Sequence, residues 1–297
     1  MTVMPPDNSS IHASGGTMIG VSNGPVAFVL GGGGVLGAVE VGMVRALLRH
    51  GIRPDLIVGT SIGAVNGVLV AADPTEAVTG RLARLWASPE AREVYGGSAS
   101  RQLVRVARRG THLHSPRPLR DMLRRELGPV VSFADLPVRF ECCAASIERA
   151  AEHWFVDGPL IPAVLASSAV PGLLPPIAIE GEHFIDGGIV NSIPVGRAVE
   201  LGAGTVYVLQ VGRIDRPLKA PRYLWDVAKV AFEVSRRHRF AREMAAIPST
   251  VDVHVLPTGG ASERDDSPLA YRDLAAAARR INRAYEASAR YLEAIPV

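Results

Sequence analysis

Ser61 lies in Gly59-Thr-Ser-Ile-Gly63, a GxSxG sequence that directly follows an apolar run, Asp55-Leu-Ile-Val58, and directly precedes a small-residue apolar segment from Ile62 to Ala72. Strand, tight turn and helix in that order are what a nucleophile elbow requires. The flanking glycines let the chain turn sharply, so the serine hydroxyl stands exposed at the strand's end. A serine so placed can attack a carbonyl carbon, and the N–H of Ile62, at a helix N-terminus, can join a site for the oxyanion that forms. The alternative is an ordinary helix N-cap, for which Ser and Thr are expected anyway.

A second feature sits on the preceding strand–helix unit. Gly31-Gly-Gly-Gly-Val-Leu-Gly37 follows the apolar run Pro25–Leu30 and opens a segment with helical spacing of apolar residues. Read from Gly32, it satisfies GxGxxG through Gly32, Gly34 and Gly37, a weak signal for dinucleotide binding when it stands alone. That reading needs an acid at the end of the second strand to hold a ribose hydroxyl. Here Asp55 stands at the strand's beginning and its end is Gly59-Thr-Ser61. The same physics serves another anion: the N–H groups of Gly32, Gly33 and Gly34, near a helix N-terminus, can face a developing oxyanion. A tight turn with close helix–strand packing is the third, purely structural reading.

A serine hydroxyl needs a base. His238 and His254 follow in the chain order of a Ser–Asp–His triad, but His254 falls within an extended apolar run and His238 among arginines in a helical pattern. His183 reads as an exposed hairpin residue. Asp186-Gly187-Gly188 ends a strand and opens a loop. An aspartate there becomes a stronger base if it is withdrawn from water without a nearby cation. An Asp-Gly turn with no chemical role is the competing reading.

The elements that must hold these residues alternate between strand and helix patterns, which predicts an α/β fold: a mostly parallel central sheet with helices on both faces. The strands read as 25–30, 55–58, a pair within 138–154, a hairpin of 176–179 and 182–185 turning at Glu180-Gly181, then 205–211 and 251–256. The helices read as 35–50, 62–72, a helical stretch from 75 to 127, then 160–168, 194–201, 222–246 and 268–293. No repeat or linker separates two cores, so residues 25–297 are expected to form one domain behind a disordered, polar leader of residues 1–24. That leader has neither the basic nor the apolar region of a signal peptide.

With 297 residues, 47% of them hydrophobic, the chain can bury a large core. A net charge of +3 is too mild to predict nucleic-acid binding. Cys142 and Cys143 are adjacent in an apolar run, so on a strand they face opposite sides and do not pair; two reduced thiols suit a cytoplasmic protein. No apolar stretch approaches the roughly 18 residues of a membrane span, so any membrane contact is expected to be peripheral. Residues 97–127 are rich in arginine, including Arg101, Arg105, Arg108, Arg109, Arg117, Arg120, Arg124 and Arg125. This segment reads as an amphipathic cap that meets anionic lipid, or as a solvated basic helix. Arg236-Arg-His-Arg239 reads as solvent face, since no aromatic platform for bases accompanies it.

Gly32-Gly-Gly-Val-Leu-Gly37, Gly59-Thr-Ser-Ile-Gly63 and Asp186-Gly-Gly188 closely resemble, in order and spacing, the three signatures of patatin-like phospholipases. Ala166-Ser-Ser-Ala-Val-Pro171, Pro175-Pro176 and Ile193-Pro194 are similar to the text around them, and the resemblance runs from about Val26 to Val211. It implies a three-layer patatin-like sandwich and a Ser61–Asp186 dyad without histidine. It further implies a glycine-loop oxyanion hole, supported at Gly37, Gly59, Gly63, Gly187 and Gly188, and hydrolysis of lipid acyl esters without metal or organic cofactor. The family usually carries Arg or Lys where this chain has Leu36, so a catalytically weak, lipid-binding or regulatory protein on the same fold is the alternative.

Overall fold

The computed structural model describes residues 24–88, 112–211, 217–221, 224–260 and 275–295. The four strands β1 (Val26–Leu30), β2 (Leu56–Thr60), β7 (Thr205–Leu209) and β8 (Asp252–Val255) run parallel, as does β3 (Arg139–Ser146) against β2. Among the described residues the sheet has eight strands, in the order β5-β6-β3-β2-β1-β7-β8, with β4 (Ala151–Phe155) also on β3. β4, β5 (Ile177–Ile179) and β6 (Glu182–Asp186) are antiparallel to their neighbours, so the sheet is parallel at its centre and on one side and antiparallel on the other. The β5–β6 hairpin turns at Glu180 and Gly181, both at positive φ (51° and 83°), the backbone of a two-residue turn that matches strand twist.

Alternation along the parallel strands divides the core into two layers. Phe28, Leu30, Ile57 and Leu209 face one side, under α1 (Ala38–Arg49), α2 (Ile62–Ala72), α3 (Ala77–Trp86), α4 (Arg117–Leu127), α5 (Leu160–Ser167) and α8 (Ala275–Ala294). Ala27, Val29, Val58 and Val208 face the other, under α6 (Val195–Glu200) and α7 (Leu224–Ala245). The central strands are buried on both faces and therefore lack polar alternation. This is the three-layer α/β arrangement expected.

β3 explains how residues far apart in the chain come together. β4 pairs with Cys142 to Ser146 and so occupies one edge of β3. The other edge is shared: β2 ends with Thr60 opposite Cys143, and β6, running the other way, ends with Asp186 opposite Ala144. The C-terminal ends of two strands thus meet head to head on one edge.

Several expectations change in detail. The helix expected from Val35 begins as a 3-10 turn, Gly34–Gly37, and becomes α-helical at Ala38. Cys142 and Cys143 are buried, free thiols. Asp55 joins the start of β1, its carboxylate accepting the Val26 N–H at 2.8 Å. The leader up to residue 23, and the arginines of the expected cap up to residue 111, lie outside the described residues. Within α4, Leu119, Met122, Leu123 and Leu127 are buried and its arginines face outward, so its apolar side is engaged in the core.

One residue of the basic run on α7, Arg236, departs from the expected solvent face, while His238 is exposed and Arg237 and Arg239 are partly so. Arg236 is 2% exposed, donating to Glu233 at 3.1 Å and Gln210 Oε1 at 3.3 Å. Arg239 bonds Glu243 and Glu152, at 2.7 and 2.9 Å. The cause is helical spacing: Phe232, Arg236, Phe240 and Glu243 share the face turned to the sheet.

Candidate active site

Ser61 sits between β2 and α2 with φ 56° and ψ −122°, a conformation that costs a non-glycine residue about 1–3 kcal/mol. Close packing around the turn leaves no room for side chains at its glycines. A β-carbon at Gly59 would lie 2.6 Å from the Gly63 carbonyl oxygen, and one at Gly63 would lie 2.1 Å from that of Leu30. The other supporting glycines are also close approaches: Gly37 to Ile62, Gly187 to the Cys143 carbonyl, and Gly188 to Phe232.

Two hydroxyls at the end of α5 hold the strained turn. Ser167 Oγ accepts the Ser61 N–H at 2.9 Å, and Ser168 Oγ donates to the Ser61 carbonyl at 3.0 Å. The Ala169 carbonyl, in the same segment, accepts the Asp186 N–H at 3.0 Å. Thr60 Oγ1 donates to the Asn191 carbonyl at 2.8 Å, tying the elbow to the loop after Asp186. Sequence reasoning assigned no role to Ser167, Ser168 or Asn191.

With its backbone so held, Ser61 Oγ donates to Asp186 Oδ2 at 2.5 Å, across 125 residues of chain. Asp186 Oδ1 accepts the Gly188 N–H at 2.7 Å. The two residues are 6% and 3% exposed. Burial pushes the Asp186 carboxyl up to about 6, against the opposing hydrogen bonds from Ser61 and Gly188. Neither residue hydrogen-bonds a histidine among the described residues. His254 stacks on Tyr207 and bonds the Tyr291 hydroxyl at 3.2 Å, while His183 pairs with Glu148.

The glycine loop abuts the elbow. The N–H groups of Gly33 and Gly34 find no acceptor among the described residues, and neither does that of Ile62. Ile62 is the first residue of α2, where a helix leaves its N–H groups unpaired. Gly32 differs from expectation: its N–H donates to the Ser192 carbonyl at 2.8 Å and is not open to an oxyanion. Strand-like continuation of the Gly31–Leu209 bond (3.0 Å) toward the 191–193 loop is the reason.

Beneath the loop lies a buried polar network that the sequence did not reveal. Asn66 Nδ2 donates to Glu40 Oε2 at 2.7 Å and to the Gly37 carbonyl at 3.0 Å, and Trp86 Nε1 donates to Asn66 Oδ1 at 3.2 Å. Glu40 is fully buried, and desolvation holds its carboxyl well above the usual range. Leu36, at the position where the resembled family usually carries a basic residue, packs against the apolar core. Among the described residues no cluster of His, Cys, Asp or Glu is placed to hold a metal ion. A groove of about 500 Å³ lies between α1, α3 and α8, lined by residues such as Val41, Arg45 and Ile281, and none of the site residues borders it.

The family model for patatin-like phospholipase matches residues 28–199. The chain is 32% identical over 202 residues to a patatin-like phospholipase domain-containing protein of Caenorhabditis elegans, covering 64% of this chain and 14% of that protein. It is 30% identical over 204 residues to the lysophospholipase NTE1 of Coccidioides immitis, covering 64% of this chain and 12% of that protein. The matches therefore span about an eighth of these curated relatives. Among solved structures, VipD from Legionella pneumophila aligns over 91% of this chain and 67% of its own, with a TM-score of 0.46 and 16% identity.

Proposed function

The chain belongs to the patatin-like phospholipase family, and on that premise we propose that it hydrolyses acyl esters of lipids with Ser61 as nucleophile and Asp186 as general base. The observation that carries this reading is the 2.5 Å hydrogen bond between Ser61 Oγ and a buried Asp186 carboxylate.

Ser61 Oγ attacks the ester carbonyl carbon while its proton passes to Asp186 Oδ2. The negative charge that develops on the carbonyl oxygen is met by the N–H groups of Gly33, Gly34 and Ile62, reinforced by the positive end of α2. Collapse of the tetrahedral intermediate breaks the ester C–O bond, and Asp186 returns the proton to the departing alcohol. Water then attacks the acyl-enzyme, Asp186 takes its proton, and the second collapse restores the Ser61 hydroxyl and frees the carboxylic acid. A carboxylate is ordinarily too weak a base for this. The rise to about 6 makes Asp186 a better proton acceptor while leaving it mostly ionised at neutral pH.

The substrate class, by likeness to the named phospholipase and lysophospholipase relatives, is an acyl ester of glycerophospholipid type. No helix among the described residues is long and apolar enough to cross a membrane. The outward arginines of α4 suit peripheral, electrostatic contact with an anionic lipid surface. The test is turnover of p-nitrophenyl butyrate and of a lysophospholipid by the wild type, Ser61→Ala and Asp186→Asn. The reading expects activity in the first alone, and equal activity in all three would end it.

A further inference from the structure

Every position of α2 is apolar or glycine except one, Asn66, and that residue is fully buried. Asparagine is a weaker helix former than leucine, so neither helix propensity nor apolar packing accounts for it. Its hydrogen bonds lead to Glu40, whose other oxygen, Oε1, has no partner among the described residues. A buried network left partly unsatisfied is less favourable than an apolar core of the same volume. Stability is therefore a poor reason for an amide here.

The bonds of the amide point to another reason. Trp86 Nε1 can only donate, and it donates to Asn66 Oδ1 at 3.2 Å, which fixes the orientation of the amide. Asn66 Nδ2 is thereby turned to two acceptors, the Gly37 carbonyl at 3.0 Å and Glu40 Oε2 at 2.7 Å. Gly37 closes the glycine loop, and Asn66 lies about one helical turn after Ile62, on the same face. Gly37 is also packed on both neighbours: a β-carbon there would lie 2.8 Å from Trp86 Cζ2 and closer still to Ile62 Cγ1. The N–H groups free to meet an oxyanion come from separate strand–helix units, Gly33 and Gly34 from β1–α1 and Ile62 from β2–α2. Asn66 is a side chain of the second unit bonded to the backbone of the first.

We infer that Asn66 is a positioning residue: by holding the Gly37 carbonyl to α2, it sets the spacing between the N–H groups of Gly33 and Gly34 and that of Ile62, so that one substrate oxygen can receive both. This rests on the Ser61–Asp186 reading and deepens it. The amide acts on rate through these donors, whose placement matters most once charge has developed on the oxygen, and little on ground-state binding. Aspartate in its place would lack the donors, and leucine would lack donors and acceptor alike.

The test compares Asn66→Leu, Trp86→Phe and the double variant with the wild type on p-nitrophenyl butyrate, each well below its melting temperature. Ser61→Ala is run alongside, as is binding of an alkyl trifluoromethyl ketone, which forms a tetrahedral adduct with a serine. In Asn66→Leu, kcat is expected to fall about 10- to 10²-fold with KM within about twofold, and ketone affinity to fall in parallel. Trp86→Phe, which frees the amide to turn, should show a smaller loss of the same kind. The double variant should lose no more kcat than Asn66→Leu alone, because Trp86 acts through the amide. Wild-type kcat in Asn66→Leu, with turnover abolished in Ser61→Ala, overturns the Asn66 assignment alone. So does a kcat loss with undiminished ketone affinity, or one that adds fully in the double variant, since either would make Asn66 structural. Should Asn66→Leu fail to fold, Trp86→Phe decides: a parallel loss of kcat and ketone affinity supports the assignment, and wild-type values overturn it. Equal turnover in wild type and Ser61→Ala removes the underlying Ser61–Asp186 reading, and this one with it.

Discussion

Thr60 and Asp186 are in register with consecutive residues of one strand, Cys143 and Ala144, on the same edge. One strand arrives at that point parallel to β3 and the other antiparallel. The residue after Thr60 and the last residue of β6 are therefore forced together by backbone pairing, before any side-chain contact is considered. Parallel and antiparallel pairing on a single strand edge is thus what makes a serine–carboxylate contact available here.

The acid limb of activity follows from the carboxyl value. Asp186 must be ionised to accept the Ser61 proton, and its carboxyl sits at about 6. A profile of kcat/KM on a soluble ester should be level above pH 7, half-maximal near pH 6, and fall about tenfold per unit below it. An acid limb centred near an ordinary aspartate value would show that burial does not tune this group.

The same shift predicts a stability cost. Asp186 is raised in the folded state from an ordinary 3.8 to about 6, so its contribution is fully present below pH 4 and is lost as pH rises through 6. An uncharged Asp186→Asn keeps a group able to bond Ser61 and Gly188 without that loss. Its stability relative to wild type, measured by urea unfolding, should improve between pH 4.5 and pH 7.5 by about 2 kcal/mol. A constant difference across that range would contradict the argument.

Ser167 and Ser168 should matter to activity beyond their stability. Ser167→Ala leaves the Ser61 N–H buried without its acceptor, a cost of about 1–3 kcal/mol, and frees the strained turn to relax. The kcat should fall at least severalfold in either alanine variant while KM changes little. Ester kinetics beside urea unfolding would separate the two effects.

The glycines of the elbow should be intolerant for reasons of space. Gly63→Ala places a carbon 2.1 Å from the Leu30 carbonyl oxygen, which is backbone and cannot yield locally. It should destabilise the fold by about 3 kcal/mol or more. Gly51→Ala, whose β-carbon meets nothing but whose φ is 76°, should cost only about 1–2 kcal/mol. Similar costs for the two would refute the steric account.

Much of this was legible in the sequence. The elbow, the glycine loop and Asp186-Gly-Gly188 each carry a local signature, because a turn between strand and helix constrains residue types over a few positions. The buried parallel strands likewise showed as unbroken apolar runs. What stayed hidden depends on contacts across the fold. Nothing near Ser167 or Ser168 in the chain says that their hydroxyls reach the backbone of Ser61. Nor does the loop sequence show that Ser192 takes the Gly32 N–H, a bond set by how the 191–193 segment lies against β1. The burial of Arg236 had a readable sign, since it lies four residues from both Phe232 and Phe240 on one helix. The basic run read as a block concealed that spacing.

The most direct test of the Ser61–Asp186 proposal is the rate and site of reaction with an alkyl fluorophosphonate, mapped by peptide mass spectrometry. The account predicts a single phosphonylated residue, Ser61, in the wild type, no labelling in Ser61→Ala, and labelling at least 10²-fold slower in Asp186→Asn. Modification at another serine, or an undiminished rate in Asp186→Asn, would contradict it.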